Sequence, residues 1–204
     1  MNTIIRQLTL ADLPYLYDIC LKTGNNGKDA SELFMDPYMI GQYYAAPYLF
    51  YEIDVCFAAV KNDAAYKRPS GYIIGTSDSA SYYEWFYSVW IPQVQLLYPR
   101  ESIFKSPNEK RISKIIYEKN EAPDGEILKE YPAHLHIDLL SELQGRGAGK
   151  SLMNTFFEAL KKKDCKGLHL GVSKDNENAV GFYKKIGFNI LEESQYSFLL
   201  GIKF

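Results

Sequence analysis

An α/β fold is predicted by three features of the chain. From His134 to Leu139, polar His134, His136 and Asp138 alternate with apolar Leu135, Ile137 and Leu139, which is the period of a strand. The alternation then breaks into the glycine-dense run Gln144-Gly145-Arg146-Gly147-Ala148-Gly149, and Leu152, Met153, Phe156, Phe157 and Leu160 follow at the spacing of an amphipathic helix. A further apolar run, Gly167 to Ser173, reads as the next strand. Strand, glycine loop, helix and strand in succession are the order of an α/β protein.

The other elements follow from the same patterns. Thr3 to Gln7 reads as a first strand. Thr9 can cap a helix starting near Ala11, whose buried face carries Leu13, Leu16, Tyr17, Cys20 and Leu21. The turn Thr23 to Asp29 is rich in residues that tolerate positive φ. Ser31 to Tyr44 is helical with a break at Pro37, where Asp36-Pro37 starts a fresh helix, and Pro47 closes it. Val55 to Val60 and Ser70 to Thr76 form an antiparallel hairpin around the polar turn Lys61 to Pro69. The long stretch Ser77 to Ala133 contains an aromatic helix over Tyr82 to Leu97, a shorter helix carrying Ile112, Ile115 and Ile116, and the polar loop Asn120 to Gly125. A structureless loop of that length is improbable in a compact domain, so this stretch must pack. Tyr196 to Phe204 reads as a final strand.

Composition bounds the function. The 204 residues suit one domain, and 47% hydrophobic and 24% charged residues are ordinary for a globular protein. A net charge of −2 gives no long-range attraction for nucleic acid, and no basic tract points to a membrane surface. The three cysteines, Cys20, Cys56 and Cys165, are scattered and lack metal-ligand spacing, which reads as reduced thiols in a cytoplasmic chain. The start MNTIIRQLTLADL has no signal-peptide pattern, and no apolar run reaches membrane-spanning length. The 17 tyrosines are unusual, and many lie between Tyr38 and Tyr98. They can fill a core or line a recognition surface.

The glycine loop carries the chemistry. The first turn of a helix leaves backbone N–H groups unpaired at the positive end of its dipole, so phosphate oxygens fit there. Arg146 and Lys150 add positive charge beside it. Gly149-Lys150-Ser151 imitates a phosphate-binding P-loop, but Gln144 stands where that motif needs glycine. A dinucleotide fingerprint fails because it needs glycine at Lys150. The spelling Gln144-x-x-Gly147-x-Gly149 does match the signature of the GNAT acyltransferases. After the next strand, Asn176-x-x-Ala179-x-x-x-Tyr183-x-x-x-Gly187-Phe188 is similar to that family's second cofactor-side motif, so the resemblance covers roughly residues 134 to 190.

The resemblance implies a GNAT fold spanning residues 1–204 as one domain, with a central mixed, largely antiparallel sheet flanked by helices. Gly71 to Gly75 resembles the third strand. Ser77 to Ala133 is then a long helical insertion between the third and fourth strands, packed over the acceptor end of the sheet. The Thr23 to Asp29 turn is either a plain connection or a border of the acceptor site. The insertion, this turn and the phrase Tyr131 to Asp138 together resemble the GNAT-like domain associated with O-GlcNAc hydrolases, although no hydrolase domain is visible.

By the same resemblance the chain is an N-acetyltransferase that moves an acetyl group from acetyl-CoA to an amine. The pyrophosphate would rest on the loop Gln144, Gly145, Arg146, Gly147, Ala148, Gly149 and Lys150. The pantetheine arm would bond the main chain at Ile137, Asp138 and Leu139 where the strand splays from its neighbour, with the Leu139 amide a candidate oxyanion donor. Asn176 would line the cofactor edge, and Tyr183 would protonate the leaving thiolate, which its ordinary pKa near 10 permits. Several members carry a basic glutamate at the position of Gly171, so the base must come from elsewhere. Asp138 is nearest the cofactor gap, with His136 and His134 on the same face as alternatives or polar fillers. No metal is implied, and the acceptor and oligomeric state are left open. The rivals are an inactive acyl-CoA-binding or scaffold module of the same fold, and a nucleotide-binding protein using Gly149-Lys150-Ser151.

Overall fold

The computed structural model describes residues 3–63, 65–100, 102, 104, 106–118 and 123–204. Its strands are β1 (Thr3–Gln7), β2 (Phe57–Lys61), β3 (Pro69–Thr76), β4 (Ala133–Leu139), β5 (Gly167–Ser173), β6 (Asn189–Glu193) and β7 (Ser197–Lys203). They form one seven-stranded sheet in the order β1-β2-β3-β4-β5-β7-β6. Every neighbouring pair is antiparallel except β4 with β5. That parallel pair needs a crossover, and the helix after the glycine loop supplies it.

The crossover helix α8 (Ala148–Lys161) buries Leu152, Met153, Phe156 and Leu160 against one face of the sheet. Gly75 on β3 permits the approach, since a Cβ there would stand 2.7 Å from Phe156 Cζ. Leu135 of β4, Ile73 of β3 and Leu168 of β5 share this core, as does Tyr183 of α9 (Glu177–Lys185). Leu16, Ile19 and Cys20 of α1 (Leu13–Thr23) meet Tyr72 and Ile74 of β3 on the opposite face. All of β3 is buried as a result. Cys20, Cys56 and Cys165 are buried thiols.

Local chemistry explains the boundaries. The Asp12 carboxylate accepts the Thr9 N–H at 2.9 Å and the Thr9 hydroxyl at 3.0 Å, and a 3₁₀ turn over Leu10–Asp12 leads into α1. Pro47 does not close a helix. It sits in the first turn of α3 (Ala46–Tyr51), where its missing N–H costs nothing, after α2 (Met39–Tyr44) has ended. Pro37 likewise stands in the turn before α2, not inside its first turn, and Asp36 Oδ1 accepts the Tyr38 N–H there at 2.9 Å.

The insertion is helical, as expected. Helix α4 (Ser79–Trp85) passes through a wide π turn at Phe86–Trp90 into α5 (Ile91–Leu97), whose first turn holds Pro92. A proline cannot donate to the preceding turn, so the ladder widens beside it. Helix α6 (Pro107–Tyr117) carries Ile112 and Ile116 inward. Residues 120–122 of the expected polar loop and residue 64 of the expected hairpin turn lie outside the described residues. Gly125 begins a short helix, α7 (Gly125–Glu130), capped by Asp124 on the Glu126 N–H at 2.8 Å. Polar anchors fasten the insertion to the helices beneath it. The buried Glu109 carboxylate accepts the Met35 and Asp36 N–H groups at 2.7 and 2.9 Å, Tyr98 donates to Asp36 at 2.7 Å, and Trp90 Nε1–H donates to Gln42 O at 2.8 Å.

Candidate active site

The glycine loop lies at the end of a strand that has lost its neighbour. β4 pairs with β5 only at Ala133↔Leu168 and His134↔His169, and the two strands then part. The direction of the freed main chain follows from register. Leu140 N–H donates to Ser70 O at 2.9 Å, and β4 faces β3 without a register shift from Gly71↔Leu139 to Thr76↔His134. Backbone groups alternate sides along a strand, so the even-numbered residues bond β3. The N–H and C=O of Ile137 and Leu139 therefore face the gap.

The loop is folded for close approach of a ligand to backbone. Gly145 and Gly147 have φ of 69° and 82°, a region that favours glycine, and a Cβ on either would meet nothing within 4 Å. Gly147 caps α8, and its carbonyl accepts Ser151 N–H at 3.0 Å, which leaves the first-turn amides of Ala148, Gly149 and Lys150 without intrahelical partners. Arg146 and Lys150 are exposed beside them. Gln144 acts differently, because its Nε2 donates to Leu139 O at 2.8 Å and ties the loop back to the strand. The open main chain, the unpaired amides and the two cations fit a pyrophosphate followed by a pantetheine arm. These residues would hold acetyl-CoA.

Side chains complete the gap. Asp138, His136 and His134 share one face of β4, as the alternation requires. The Asp138 carboxylate accepts Tyr72 Oη–H at 2.6 Å. Burial raises its pKa from the ordinary carboxylate value, and hydrogen bonds from Tyr72 and Thr23 oppose that only in part. Tyr183 is buried between Phe182 and Phe188, each ring 5.5 Å away, and its hydroxyl has no hydrogen-bond partner among the described residues. Burial, and then the charge of Asp138, push its pKa up, so the phenol keeps its proton. Asn176 caps α9, its Oδ1 accepting Ala179 N–H at 3.2 Å. Gly27, in the turn after α1, lies alongside it.

The three histidines of the chain differ in what their nitrogens meet. Ser79 Oγ–H donates to Pro132 O at 2.6 Å and contacts His134 Nδ1 at 2.7 Å, while Tyr48 Oη lies 2.8 Å from His134 Nε2. With the Ser79 proton engaged, Nδ1–H donates to Ser79 and Nε2 accepts from Tyr48. His134 is thus fully bonded, and burial holds it neutral. His169 donates Nδ1–H to Tyr131 O at 2.7 Å, and burial lowers its pKa too. His136 touches Tyr44 and Tyr48 edge-on at 5.8 and 5.6 Å, with neither nitrogen hydrogen-bonded among the described residues. Burial pulls its pKa down to about 4.

All three rings line one cavity of about 270 Å³ that spans the parted strands, with Gly171 of β5 on the far side. A Cβ on Gly171 would meet nothing within 4 Å, so this position of β5 opens on free space. The remaining walls are tyrosines of α2, α3 and α4, rings of the π turn, Pro123 and the leucines Leu135, Leu170 and Leu199. Sequence reasoning missed His169, Tyr48 and Tyr72 as parts of the site, with the density of tyrosines between Tyr38 and Tyr98 the one signal for the two tyrosines; Thr23 begins the turn offered as a possible border of the acceptor site.

A strand pair that parts beside a glycine-capped helix makes a main-chain cradle that fits an acyl-CoA. The model of the Acetyltransferase (GNAT) family matches residues 80–188, more than half of the chain, and the chain belongs to that family. Among solved structures it is similar to SsHAT, with 30% identity and a TM-score of 0.89 over 100% of this chain and 98% of that one. It also matches the PaiA N-acetyltransferase of Thermoplasma acidophilum, solved with coenzyme A, at 16% identity and a TM-score of 0.60 over the whole of both chains. Curated relatives include protein O-GlcNAcase of Rattus norvegicus and of Mus musculus, each 24% identical over 184 residues, which is 90% of this chain and 20% of theirs. The chain thus spans about a fifth of the length of those relatives.

Proposed function

We propose that residues 1–204 act as one acetyltransferase domain that acetylates its amine directly, with His136 and Asp138 handling the amine proton and Tyr183 the leaving sulfur. The observation that carries this is the gap itself, with free backbone groups of β4 along one edge, the unbonded His136 imidazole in the cavity beside it, and the buried Asp138 carboxylate near enough for its charge to reach the Tyr183 phenol. Acetyl-CoA supplies an acetyl carbon whose bond to sulfur breaks as its bond to the amine nitrogen forms. The gap-facing amide of Leu139 is a donor for the acetyl oxygen as negative charge gathers there. Tyr183 gives its proton to the sulfur. His136 faces the amine with a free lone pair and takes the nitrogen's proton, passing it through a water to Asp138. An imidazole with a pKa of about 4 cannot deprotonate a free ammonium, so the amine enters neutral. A nitrogen already bonded to an acyl carbon is acidic enough for a weak base.

The test is the pH dependence of kcat in His136→Gln and Asp138→Asn. General base catalysis is typically worth ~10² to 10⁴ in rate. His136→Gln is expected to lose at least ~100-fold at neutral pH, and Asp138→Asn less, with partial recovery of both relative to the wild type at high pH, where hydroxide can take the proton of the acylated nitrogen. Wild-type rates in both variants would overturn this assignment. A loss confined to Asp138→Asn would make the carboxylate the direct acceptor.

A further inference from the structure

Asp138 is held by neighbours that the transfer steps above leave unused. Tyr72 stands directly opposite it in the register of β3 and β4, and no shift interrupts that register between Gly71 and Thr76. Tyr72 is 0% exposed, in a core it shares with Leu16, Ile19 and Cys20 of α1. Its Oη–H donates to Asp138 Oδ2 at 2.6 Å, the length of a hydroxyl bond to a charged oxygen. Cys20 hydrogen-bonds Tyr72 from α1. Burial pushes the pKa of this thiol up, so Cys20 keeps its proton and its S–H donates to the Tyr72 oxygen. Thr23 also reaches Asp138, but its one hydroxyl proton is drawn to Ile19 O at 2.8 Å. Among the described residues no lysine or arginine pairs with Asp138. The other titratable groups near it, Tyr183 of α9 and His136 two residues along β4, are both kept neutral by burial.

We infer that Tyr72 is a positioning residue for the transfer, orienting the Asp138 carboxylate beside the gap and keeping it charged, with Cys20 donating behind it. This rests on the reading above, in which Asp138 receives the amine's proton, and adds the residue that keeps it able to do so. A buried carboxylate without a counter-ion tends to take up a proton, and once protonated it can accept no other. A donor bonded to the charged form works against this, and the low dielectric around an enclosed pair strengthens that bond. The direction of the chain matters too. Cys20 donates to Tyr72 and Tyr72 donates to Asp138, so each bond polarises the next toward the carboxylate. Tyr72 itself neither gains nor loses a proton. The core alone does not call for its hydroxyl, because a phenylalanine ring fills the same space among Leu16, Ile19 and Cys20 without a polar group to bury. Both residues stand on paired strands, so the bond is built into the sheet and needs no ligand to form it.

The experiment measures kcat by thiol release from acetyl-CoA, with hydroxylamine as a small acceptor, from about pH 5 to pH 9 in wild type, Tyr72→Phe, Asp138→Asn and the double variant. Losing the donor raises the Asp138 pKa further, so the ratio of Tyr72→Phe to wild-type kcat should fall as pH is lowered. A fall of at least about tenfold across the range is expected, which corresponds to a pKa moved by about one, with the acetyl-CoA KM unchanged. The ratio cancels the acceptor's own ionisation. In the Asp138→Asn background, Tyr72→Phe should change kcat by less than about twofold, because the group it acts through is gone. A fluorinated, more acidic tyrosine placed at Tyr72 alone keeps ring and hydroxyl and donates more strongly. Its ratio to wild type should instead rise as pH is lowered, which decides the question even where Tyr72→Phe folds poorly. Ratios flat in pH, with Asp138→Asn losing activity, make Tyr72 a core residue, overturn this inference and leave the transfer reading standing. Wild-type kcat in Asp138→Asn removes Asp138 from the proton path and overturns both.

Discussion

The two faces of β4 are built on opposite principles. On the α8 side, recognition rests on the main chain: two positive-φ glycines, three unpaired helix amides and the gap-facing peptide groups of Ile137 and Leu139. On the helical side it rests on side chains drawn from distant parts of the sequence, with Tyr48, Tyr83, His136 and His169 meeting around one cavity. A main-chain site needs glycine at fixed positions and so leaves a spelling. A side-chain cavity needs only rings of suitable size converging in space, and many sequences satisfy that.

The largest expected effect lies where the faces meet. Tyr183 belongs to the α8-side core yet feels the charge of Asp138 on the other side. Tyr183→Phe keeps the ring between Phe182 and Phe188 and deletes only the proton. Its kcat is expected to fall by ~10² to 10⁴ while acetyl-CoA affinity stays within about threefold. A wild-type kcat would make Tyr183 a packing residue and separate the two faces chemically.

Between pH 6.5 and 5, acid should act mainly on the helical face, whereas the carboxylates paired elsewhere, Asp12 and Glu142 among them, respond at lower pH. His134, His136 and His169 all have pKa values lowered by burial, so between pH 6.5 and about 4 the unfolded chain binds protons that the folded chain refuses. Stability contributed by their neutral forms is present above pH 6.5 and is lost as pH falls through this window. Asp138, with its pKa raised, works in the other direction: acid relieves the cost of its buried charge. For His136 alone the loss at pH 5 is ~2 kcal/mol, reduced by whatever water reaches its half-buried ring. Urea unfolding at pH 7 and pH 5 measures it, and His136→Gln should show the smaller drop. Equal drops in the two proteins would remove His136 from the acid response.

These differences explain what could be read from the chain. The strand from His134 to Leu139, the glycine loop, α8 and Gly167–Ser173 are all local patterns, and each appears within a residue or two of its expected place. The shared direction of His134, His136 and Asp138 also follows from local geometry, because no bulge interrupts β4. β6 leaves no such pattern, since it is an edge strand whose residues are mostly exposed and show no alternation. Pro47 misleads because proline fits the first turn of one helix as well as it ends another. The division of labour among the histidines is beyond reach of the sequence, because it depends on Ser79, Tyr48 and Tyr131, which only the fold brings near.

Substitutions in the loop sharpen the main-chain side. Gly147→Val puts a branched side chain at φ 82°, and Gly149→Val pushes atoms into Phe182, which a Cβ alone would approach to 3.3 Å. Each is expected to weaken acetyl-CoA binding at least tenfold, about 1.4 kcal/mol, in protein shown folded by circular dichroism. Arg146→Ala should cost less, since an exposed cation is screened by solvent and salt. If Arg146→Ala weakens binding more than Gly147→Val does, the phosphate site depends on side-chain charge and the contrast between the faces fails.

The smallest effect concerns Asn176, which the cofactor motif and the helix cap both claim. Its Oδ1 accepts the Ala179 N–H, which accounts for asparagine at this position without any ligand. Its amide group lies beside Gly27, which brings the turn after α1 near the cofactor edge. Two substitutions separate the roles. Asn176→Asp retains a capping oxygen and loses the NH₂ group, and Asn176→Ala loses both. A pure cap predicts that the alanine variant is less stable by ~1 kcal/mol, that the aspartate variant is not, and that both bind acetyl-CoA as the wild type does. If Asn176→Asp keeps its stability but binds acetyl-CoA several-fold more weakly, the amide also serves the cofactor. The added negative charge must then be discounted by repeating the titration at high salt, where repulsion between exposed charges is screened and loss of a hydrogen bond is not.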